Sequence, residues 1–340
     1  MKIIICLFSF QLLWAFKVEA KNKLSFLHLN IQNLTTEEIN NQSPKIKNFI
    51  LLQKKYSPDI ISLNEVQYDR KGVPTSKFKT KGENLNKINK HLFPKYIDSF
   101  FSYSLTGRNA KKNVFGNYSM IKNPQLADQT NFGNFPGQYS LGSLSRYKFA
   151  SKRIYNVKIK DFFPSISIKS YKRQNGTSYP ENLMLFDKNF NHTQIAINKK
   201  TINIIFAHLT PDFNFGSKLL INQLRNHLQL KFLRWFINSD GLSKAKNGLP
   251  PLPPGSSYII IGDLNTDPFS KTKSAKEMSS LLKETKSAIT ISKKNATFPS
   301  KKLILDYALM SKDLIVSNAK VIQSEISDHL PIYFEVLLKD

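Results

Sequence analysis

Polar side chains that can bind metals or move protons stand at the ends of several short apolar segments. Asn30, Glu65 and His208 each close such a segment, and Asp263 and Asn265 directly follow another one. Carboxylates and amides supply the hard oxygen ligands that Mg²⁺ prefers, and an imidazole exchanges protons near neutral pH. If the segments are buried strands, these side chains meet along one rim, as in the catalytic clefts of α/β proteins.

The last part of the chain continues this pattern. Asp306 lies within the apolar segment 303–310, and Asp328 and His329 precede the apolar segment 333–338. Each of these residues also has an ordinary structural interpretation, as a turn residue, an ion-pair partner or a buried histidine. The repetition at one segment after another, rather than any single residue, predicts a catalytic rim.

The spacing of apolar residues predicts a mixture of strands and helices. Strands are predicted at 24–30, 60–63, 140–145, 202–208, 258–262, 303–310 and 333–338. Helices are predicted at 46–55 and 219–237, a loop or surface helix at 70–90, and long loops at 105–138 and 248–257. No internal repeat and no shift in composition divides the chain, so we expect a single α/β domain over residues 21–340.

The first 20 residues are typical of a secretory signal peptide. Lys2 precedes an apolar run over 3–16, and Ala20 closes a small-residue cleavage site. The run is too short to span a bilayer, which needs about 20 apolar residues. We therefore expect residues 1–20 to be removed and the mature protein to be secreted or periplasmic. Cys6, the only cysteine, leaves with them, which excludes cysteine nucleophiles and cysteine-bound zinc.

The charge balance indicates a polyanionic partner. The chain has 50 Lys and Arg against 24 Asp and Glu, a formal charge of +26. An AT-rich genome explains part of the lysine excess but not the scarcity of acidic residues. We therefore expect nucleic acid as the partner, with an anionic lipid surface as the alternative. With 41% hydrophobic residues, the chain is too apolar to be disordered.

Six segments, in this order, resemble the endonuclease/exonuclease/phosphatase superfamily, to which deoxyribonuclease I belongs. They are LHLNIQNL (27–34), ISLNEVQ (61–67), FAHLTP (206–211), IIIGDLNTDP (259–268), LILDYAL (303–309) and SDHLPI (327–332). A further segment, FGNFPGQYSLGSLSRY (132–147), resembles the secreted bacterial branch of that superfamily. The resemblance implies an α/β fold, a four-layered sandwich of two mixed β-sheets flanked by helices. Gln229 stands where that branch commonly has glutamate, and the loops over 69–131 are less acidic, which leaves the substrate open.

The resemblance also implies metal-assisted hydrolysis of a phosphate ester. One or two Mg²⁺ ions, or Mn²⁺ or Ca²⁺ in their place, offset the negative charge that develops on the attacked phosphate. Asn30, Glu65 and Asp328 are the implied metal ligands. Arg146 and Lys188 are candidate phosphate contacts, with an ordinary surface charge as the alternative for each.

The catalytic roles follow from the same resemblance. Asp263 holds or deprotonates the attacking water, and Asn265 orients the water and the phosphate. His329, ordered by Asp306, acts as the general base or as a donor to a non-bridging oxygen. His208 contacts the phosphate or aids the leaving group. The residues leave open which histidine takes which part.

We therefore expect a monomeric, secreted, metal-dependent hydrolase, and first of all a nuclease that cleaves DNA or RNA with little sequence preference. A sphingomyelinase, an inositide phosphatase or a small-molecule phosphatase on the same scaffold is the alternative, and a binding protein without catalysis is a third. The chain has no G-x-S-x-G elbow, no P-loop and no G-x-G-x-x-G motif. These absences argue against a serine hydrolase and a dinucleotide-binding fold.

Overall fold

The computed structural model describes residues 23–70, 72–73, 82–120, 123, 125–197, 200–215, 220–237 and 249–338. The predicted signal peptide, residues 1–20, lies outside the described residues. Within the described part of the chain, no helix is both long enough and apolar enough to cross a membrane.

The described residues form twelve strands and six α-helices. The strands are β1 Lys23–Leu34, β2 Ile60–Val66, β3 Asp98–Ser102, β4 Ser140–Ser145, β5 Ser151–Ile154, β6 Asn189–Ile197, β7 Lys200–His208, β8 Ser257–Asp263, β9 Lys286–Ser287, β10 Asp306–Met310, β11 Ile315–Val321 and β12 Ile332–Leu337. The helices are α1 Thr36–Asn40, α2 Pro44–Tyr56, α3 Asn84–Lys90, α4 Ile159–Phe162, α5 Asn222–Ile237 and α6 Lys273–Glu284.

The strands form two six-stranded mixed sheets. Their orders are β11-β12-β1-β2-β4-β3 and β5-β6-β7-β8-β10-β9. Each sheet has one parallel pair at its centre, β1 with β2 and β7 with β8, and the other pairs are antiparallel. The carboxyl ends of these two parallel pairs carry side chains of the site described below.

The two sheets pack face to face, and helices cover both outer surfaces. The inner core joins Phe26 and Ile60 of the first sheet to Ile204 and Ile259 of the second. A second apolar cluster packs α1, α2 and α3 on the outer face of the first sheet, and a third packs α5 and α6 on the outer face of the second. Burial of apolar surface on both faces of each sheet stabilises this arrangement. The predicted four-layered sandwich is confirmed.

The alternation of side chains along β1 determines which residues point between the sheets. Phe26 belongs to the core between the sheets, whereas Leu27 and Leu29 belong to the cluster under the helices. Side chains alternate from face to face along a strand. His28 and Asn30 therefore point toward the second sheet, where the other half of the site lies.

The predicted elements are present, with adjusted ends. All seven predicted strands and both predicted helices are found, although the segment 303–310 becomes a strand only at Asp306. Helix α3 forms within 70–90, and the described residues of 105–138 form no helix or strand. Strands β3, β5, β6, β9 and β11 and helices α1, α4 and α6 were not predicted.

Candidate active site

Four strand ends bring the predicted rim residues to one edge of the sandwich. Asn30 lies in β1 and Glu65 in β2, and His208 and Asp263 are the last residues of β7 and β8. Because each pair of strands is parallel, its carboxyl ends lie side by side. In the register, His208 stands opposite Asp263, and Asp263 stands opposite Asp306, the first residue of β10.

An irregular backbone conformation orients the side chains of Glu65 and Asn265. Glu65 has φ of 65°, at a break in the register between β2 and β4. Asn265 has φ of 53°, directly after β8. Residues other than glycine rarely adopt this left-handed conformation, which costs of order 1–3 kcal/mol and clusters at functional sites. A bulge of this kind turns a side chain out of the regular alternation of the strand.

Asn30 joins the two carboxylates of the site. Its Nδ2 donates to Glu65 Oε1 at 3.2 Å and to Asp263 Oδ2 at 3.1 Å. Glu65 Oε2 accepts from the backbone N–H of Asn33 at 3.0 Å, and Asp263 Oδ1 accepts from that of Asn265 at 2.8 Å. Backbone N–H groups near the end of β1 and directly after β8 therefore hold the carboxylates in place.

A buried lysine stands next to the buried histidine of β7. Lys188 Nζ donates to His208 Nε2 at 3.0 Å and to the carbonyl of Leu209 at 3.1 Å. The same imidazole nitrogen lies 3.6 Å from Asp263 Oδ2 and 4.0 Å from Glu65 Oε1. Burial and the charge of Lys188 hold the pKa of His208 well below its usual range. His208 is therefore neutral at pH 7, with Nε2 as an acceptor.

Two histidines hold the buried carboxylate of Asp306. Its Oδ2 lies 2.7 Å from His329 Nδ1, and its Oδ1 lies 3.1 Å from His28 Nε2. Burial alone would raise the pKa of Asp306, but the charge of His329 and the hydrogen bonds from both histidines hold it well below its usual range. Burial lowers the pKa of His329, but Asp306 outweighs this effect and raises it to about 10. The pair is therefore an ion pair at neutral pH.

Asp263 has the opposite character to Asp306. Burial, followed by repulsion from Asp306, raises the pKa of Asp263 to about 7. Two neighbouring carboxyl groups with pKa values this far apart have the arrangement expected of one proton acceptor and one permanent anion.

The structure brings most of the predicted site residues together but not all of them. Arg146 is a correction: its guanidinium donates to Ser57 and lies over the Tyr96 ring, at the opposite end of the first sheet. The reason is strand direction, because β4 runs antiparallel to β2, so the residue after β4 lies where β2 begins.

Asp328 is exposed and accepts from Ser327 Oγ at 3.2 Å, with no described contact to Asn30 or Glu65. Its prediction as a metal ligand stays a prediction.

His28 belongs to this site, although the sequence reasoning did not select it. Two positions before Asn30, it points to the same side of β1 and reaches Asp306 of the other sheet. Its Nδ1 is hydrogen-bonded with Ser62 Oγ at 3.1 Å. The sequence does contain a signal for His28: it stands two residues before Asn30 on one predicted strand, and residues two apart on a strand point to the same face.

Comparison with known proteins identifies the family. The sequence profile described as "Endonuclease/Exonuclease/phosphatase family" matches residues 27–329. The chain belongs to this family.

Solved structures of the endonuclease/exonuclease/phosphatase family share the fold. A protein from Beutenbergia cavernae is 14% identical with a TM-score of 0.60, over 94% of this chain and 72% of that one. One from Bacteroides vulgatus is 11% identical with a TM-score of 0.52, over 94% of this chain and 100% of that one. One from Leptotrichia buccalis is 15% identical with a TM-score of 0.51, over 92% of this chain and 98% of that one. No curated protein matches.

The donor set fits the divalent metal on which this family typically depends. The Glu65 carboxylate offers hard oxygens beside Asp263, and a cation there would offset the burial and the Asp306 charge that raise the pKa of Asp263. Asn30 turns its Nδ2 toward both carboxylates, while its Oδ1 accepts from the backbone N–H of Gln32 at 3.1 Å, so its role as a metal ligand stays a prediction. Asp263, Asp306 and His329 also place ligand atoms within 4.8 Å of one another. His329 is already the cation of that second group, so the metal fits better on the side of Asn30 and Glu65.

A cavity of about 300 Å³ opens beside the cluster. Its lining includes Glu65, Lys188, His208, Asp263 and His329. The family's hydrolytic site in this chain therefore has a concave surface on which a phosphate ester can be held against carboxylates, a lysine and imidazoles.

Proposed function

We propose that this protein is an exported nuclease that hydrolyses phosphodiester bonds of DNA or RNA with the help of Mg²⁺. The observation that carries the proposal is the convergence of Glu65, Lys188, His208, Asp263 and His329 on one cavity. Hydrolysis of a phosphodiester requires a metal site, donors for the phosphate oxygens and an acceptor for a proton of water. The cavity offers residues for each of these tasks.

The acidic residues of the cavity bind the metal and activate the attacking water. When bound by Glu65 and Asn30, the metal offsets the negative charge that develops on the phosphate. Asp263 is oriented by Asn30 and by the backbone of Asn265. Held in this way, its carboxylate takes a proton from the attacking water, and the Asn265 side chain helps to orient that water.

The basic residues of the cavity donate hydrogen bonds to the phosphate. His329 has Nδ1 engaged by Asp306, which leaves Nε2 to donate to a phosphate oxygen. Lys188 places an ammonium group at the same cavity, held by His208 and Leu209. Preorganised donors of this kind stabilise charge in the transition state without reorganisation. His208, being neutral, positions Lys188 rather than supplying a proton.

The charge of the chain supports a nucleic acid substrate. The formal charge is +26. Lys271, Lys273 and Lys276 stand exposed in the segment that follows the catalytic Asp263 and Asn265. Lysines contact phosphates without reading bases, so cleavage with little sequence preference is expected.

One substrate panel tests this function. The purified protein is given plasmid DNA, RNA, sphingomyelin and a soluble inositol phosphate, each with Mg²⁺ and with EDTA. Cleavage of DNA or RNA with Mg²⁺, its loss in EDTA and its return with added metal are the expected results. Asp263→Asn should remove activity without lowering the thermal midpoint of unfolding by more than a few degrees. His329→Gln should also remove activity, with a larger fall in the midpoint, because it leaves the buried Asp306 carboxylate without its cationic partner.

Lys320→Ala provides the matched control, because Lys320 lies over the rings of Tyr56 and Tyr333, outside the cavity lining. It should cleave as the unchanged protein does. Hydrolysis of sphingomyelin or the inositol phosphate while both nucleic acids survive would replace the nuclease with a lipid or small-molecule phosphoesterase. Failure to cleave any substrate, with metal bound, would favour the binding protein.

Export is a separate part of the proposal. When the full chain is expressed in a bacterial host, the protein is expected outside the cytoplasm with its N-terminus at Lys21. N-terminal sequencing of that material checks the cleavage, and size-exclusion chromatography checks the expected monomer. Recovery of the uncut chain from the cytoplasm would contradict export.

A further inference from the structure

The cavity is also lined by side chains that the proposed hydrolysis does not use, called here the aromatic chamber. The walls there carry the rings of Phe132, Tyr139, Tyr179 and Phe215. Tyr179 is buried, Phe132 and Tyr139 are half-buried, and Phe215 is exposed. At about 300 Å³ the cavity is at the lower end of the size range of small-molecule pockets. It has room for one flat group next to the scissile phosphate, and not for a base pair.

Amide and hydroxyl groups stand among these rings. Gln129, Thr130, Gln174 and Asn222 line the same part of the chain's cavity. Asn222 uses Nδ2 to donate to the carbonyl of Phe213 at 3.2 Å, which leaves its Oδ1 as an acceptor. Ring faces combined with amide edges match a nucleobase, which has a flat π-face and a rim of donors and acceptors.

Two buried charged residues of the cavity neutralise one another. Arg225 and Asp187 are both buried, and Arg225 Nη1 lies 4.0 Å from Asp187 Oδ2. Arg225 also donates to the carbonyls of Leu185 and Met184. The charge that remains next to the rings is that of Lys188, whose Nζ lies 5.7 Å from the centre of the Tyr139 ring. The chamber therefore suits a neutral flat group attached to a phosphate better than a cationic lipid head group, which Lys188 would repel.

An exposed pair of rings continues the wall out of the cavity. Phe215 packs edge-to-face on Phe213 with ring centroids 5.2 Å apart, and the two are 56% and 58% exposed. The neighbouring Asp212 donates its backbone N–H to the carbonyl of Asn265 at 3.1 Å, which ties this segment to the catalytic loop. Exposed rings beside a basic cleft are the surfaces on which successive bases of a single strand stack.

From these features we infer that the aromatic chamber is a base-binding subsite. It takes one unpaired nucleobase adjacent to the scissile phosphate, and Phe213 and Phe215 stack against the next base. The enzyme therefore prefers single-stranded nucleic acid over a duplex, whose bases are already stacked and paired. This inference rests on the proposed nuclease function, since it assigns the part of the substrate that surrounds the phosphate.

Three strands with the same backbone test the subsite. They are a deoxythymidine homopolymer, the same homopolymer annealed to its deoxyadenosine complement, and a strand of abasic tetrahydrofuran units. The single-stranded homopolymer should be cleaved with a kcat/KM at least about tenfold above both others, because the duplex withholds its bases and the abasic strand has none to stack on the rings. Phe215→Ala, alone and combined with Phe213→Ala, should lower kcat/KM on the homopolymer about tenfold and leave that on the abasic strand unchanged.

Phe93→Ala is the matched control, since Phe93 is 83% exposed and its carbonyl accepts from Gln53 Nε2, next to Tyr96 and far from the cavity, at the start of β2. It should leave all three rates unchanged. Equal rates on the homopolymer and the abasic strand, or an equal loss on both in the Phe215 variant, would overturn the subsite while the nuclease function stands. Cleavage of none of these strands, when the RNA of the substrate panel also survives, would overturn the nuclease function, and the subsite with it.

Discussion

At the scale of single residues, the end of a strand at which a basic residue stands decides whether that residue reaches the site. Lys188 immediately precedes β6, and Asn189, the first residue of that strand, is registered opposite His208. Arg146 follows β4, which brings it to the far end of the other sheet. Both β6 and β4 run antiparallel to a strand that carries the site, so the residue before β6 reaches the site whereas the residue after β4 lies at the opposite end of its sheet.

The two variants Lys188→Ala and Arg146→Ala test this difference. Lys188→Ala removes the ammonium from the cavity and should lower kcat/KM about 100-fold, the loss typical of one preorganised donor. Arg146→Ala, measured on the same substrate, should stay within about twofold, because screened surface charges contribute little. Equal losses in both variants would mean that charge acts over the whole surface rather than at this cavity.

The second imidazole on Asp306 leads to another prediction. His28→Ala removes the hydrogen bond to Asp306 Oδ1 and leaves a buried carboxylate oxygen without this partner. We expect the free energy of unfolding to fall by about 1–3 kcal/mol. We also expect kcat to fall about tenfold with little change in KM, as for other partners that orient a catalytic group. Urea unfolding and steady-state kinetics measure the two effects.

Ser62→Ala is the control for His28, because it removes only the partner of His28 Nδ1. Its kcat should fall less than that of His28→Ala. His28→Gln, whose amide nitrogen reaches about as far as Nε2 and can still donate to Asp306, should recover part of kcat. If His28→Ala unfolds more easily but cleaves normally, then His28 only stabilises the fold and does not position Asp306.

At the scale of the elements, one glycine controls the approach of the two central strands of the second sheet. Gly262 in β8 is registered opposite Ala207 in β7, and a Cβ at Gly262 would lie 1.9 Å from the Ala207 carbonyl oxygen. Gly262→Ala must therefore push β7 away from β8, which separates His208 from Asp263. We expect the free energy of unfolding to fall by about 3 kcal/mol or more, the upper end for overpacked interiors.

Activity and unfolding of Gly262→Ala are compared with those of Gly116→Ala. Gly116 has φ of 75°, but nothing lies within 4 Å of its added Cβ, so that variant has only the backbone cost of about 1–2 kcal/mol. Activity should be lost in the first variant and kept in the second. Normal cleavage by Gly262→Ala would show that the spacing of β7 and β8 is not critical for the site.

The most clearly predicted strands are the ones whose side chains are apolar on both faces. Strand β7 is one, because its residues from Ile202 onward are buried on both sides of the sheet. Strand β6 was missed because it buries Asn191, His192 and Thr193, which no hydrophobic pattern selects. Strand β11 is an edge strand with a largely exposed face, so its apolar signal is weak.

The candidate site was predictable where a polar residue follows a buried apolar run, and not where residues meet only through the packing of the two sheets. Asn30, Glu65, His208 and Asp263 stand at strand ends that the apolar runs reveal. The contact between His28 and Asp306 joins positions 278 residues apart in two different sheets. Such a pair follows from the packing of the sheets, which local spacing does not encode. The aromatic chamber was missed likewise, since its rings come from separate loops.

At the scale of the whole molecule, the site lies across the seam between the two sheets. The first sheet supplies Asn30 and Glu65, and the second supplies His208, Asp263 and Asp306. Neither sheet has a complete set of groups. The apolar core between the sheets, which joins Phe26 and Ile60 of the first sheet to Ile204 and Ile259 of the second, therefore keeps the two half-sites in register.

The net charge of the molecule leads to the last prediction. With 50 basic against 24 acidic residues, a polynucleotide is attracted along its backbone and releases counterions when it binds. Raising the salt concentration from about 50 to 200 mM should therefore lower kcat/KM on a long single strand by tenfold or more. A thymidine phosphodiester with a single phosphate should lose far less, because it releases few counterions. If both substrates lose activity in parallel, salt acts on the catalytic cluster itself, and the basic surface has no part in holding the strand.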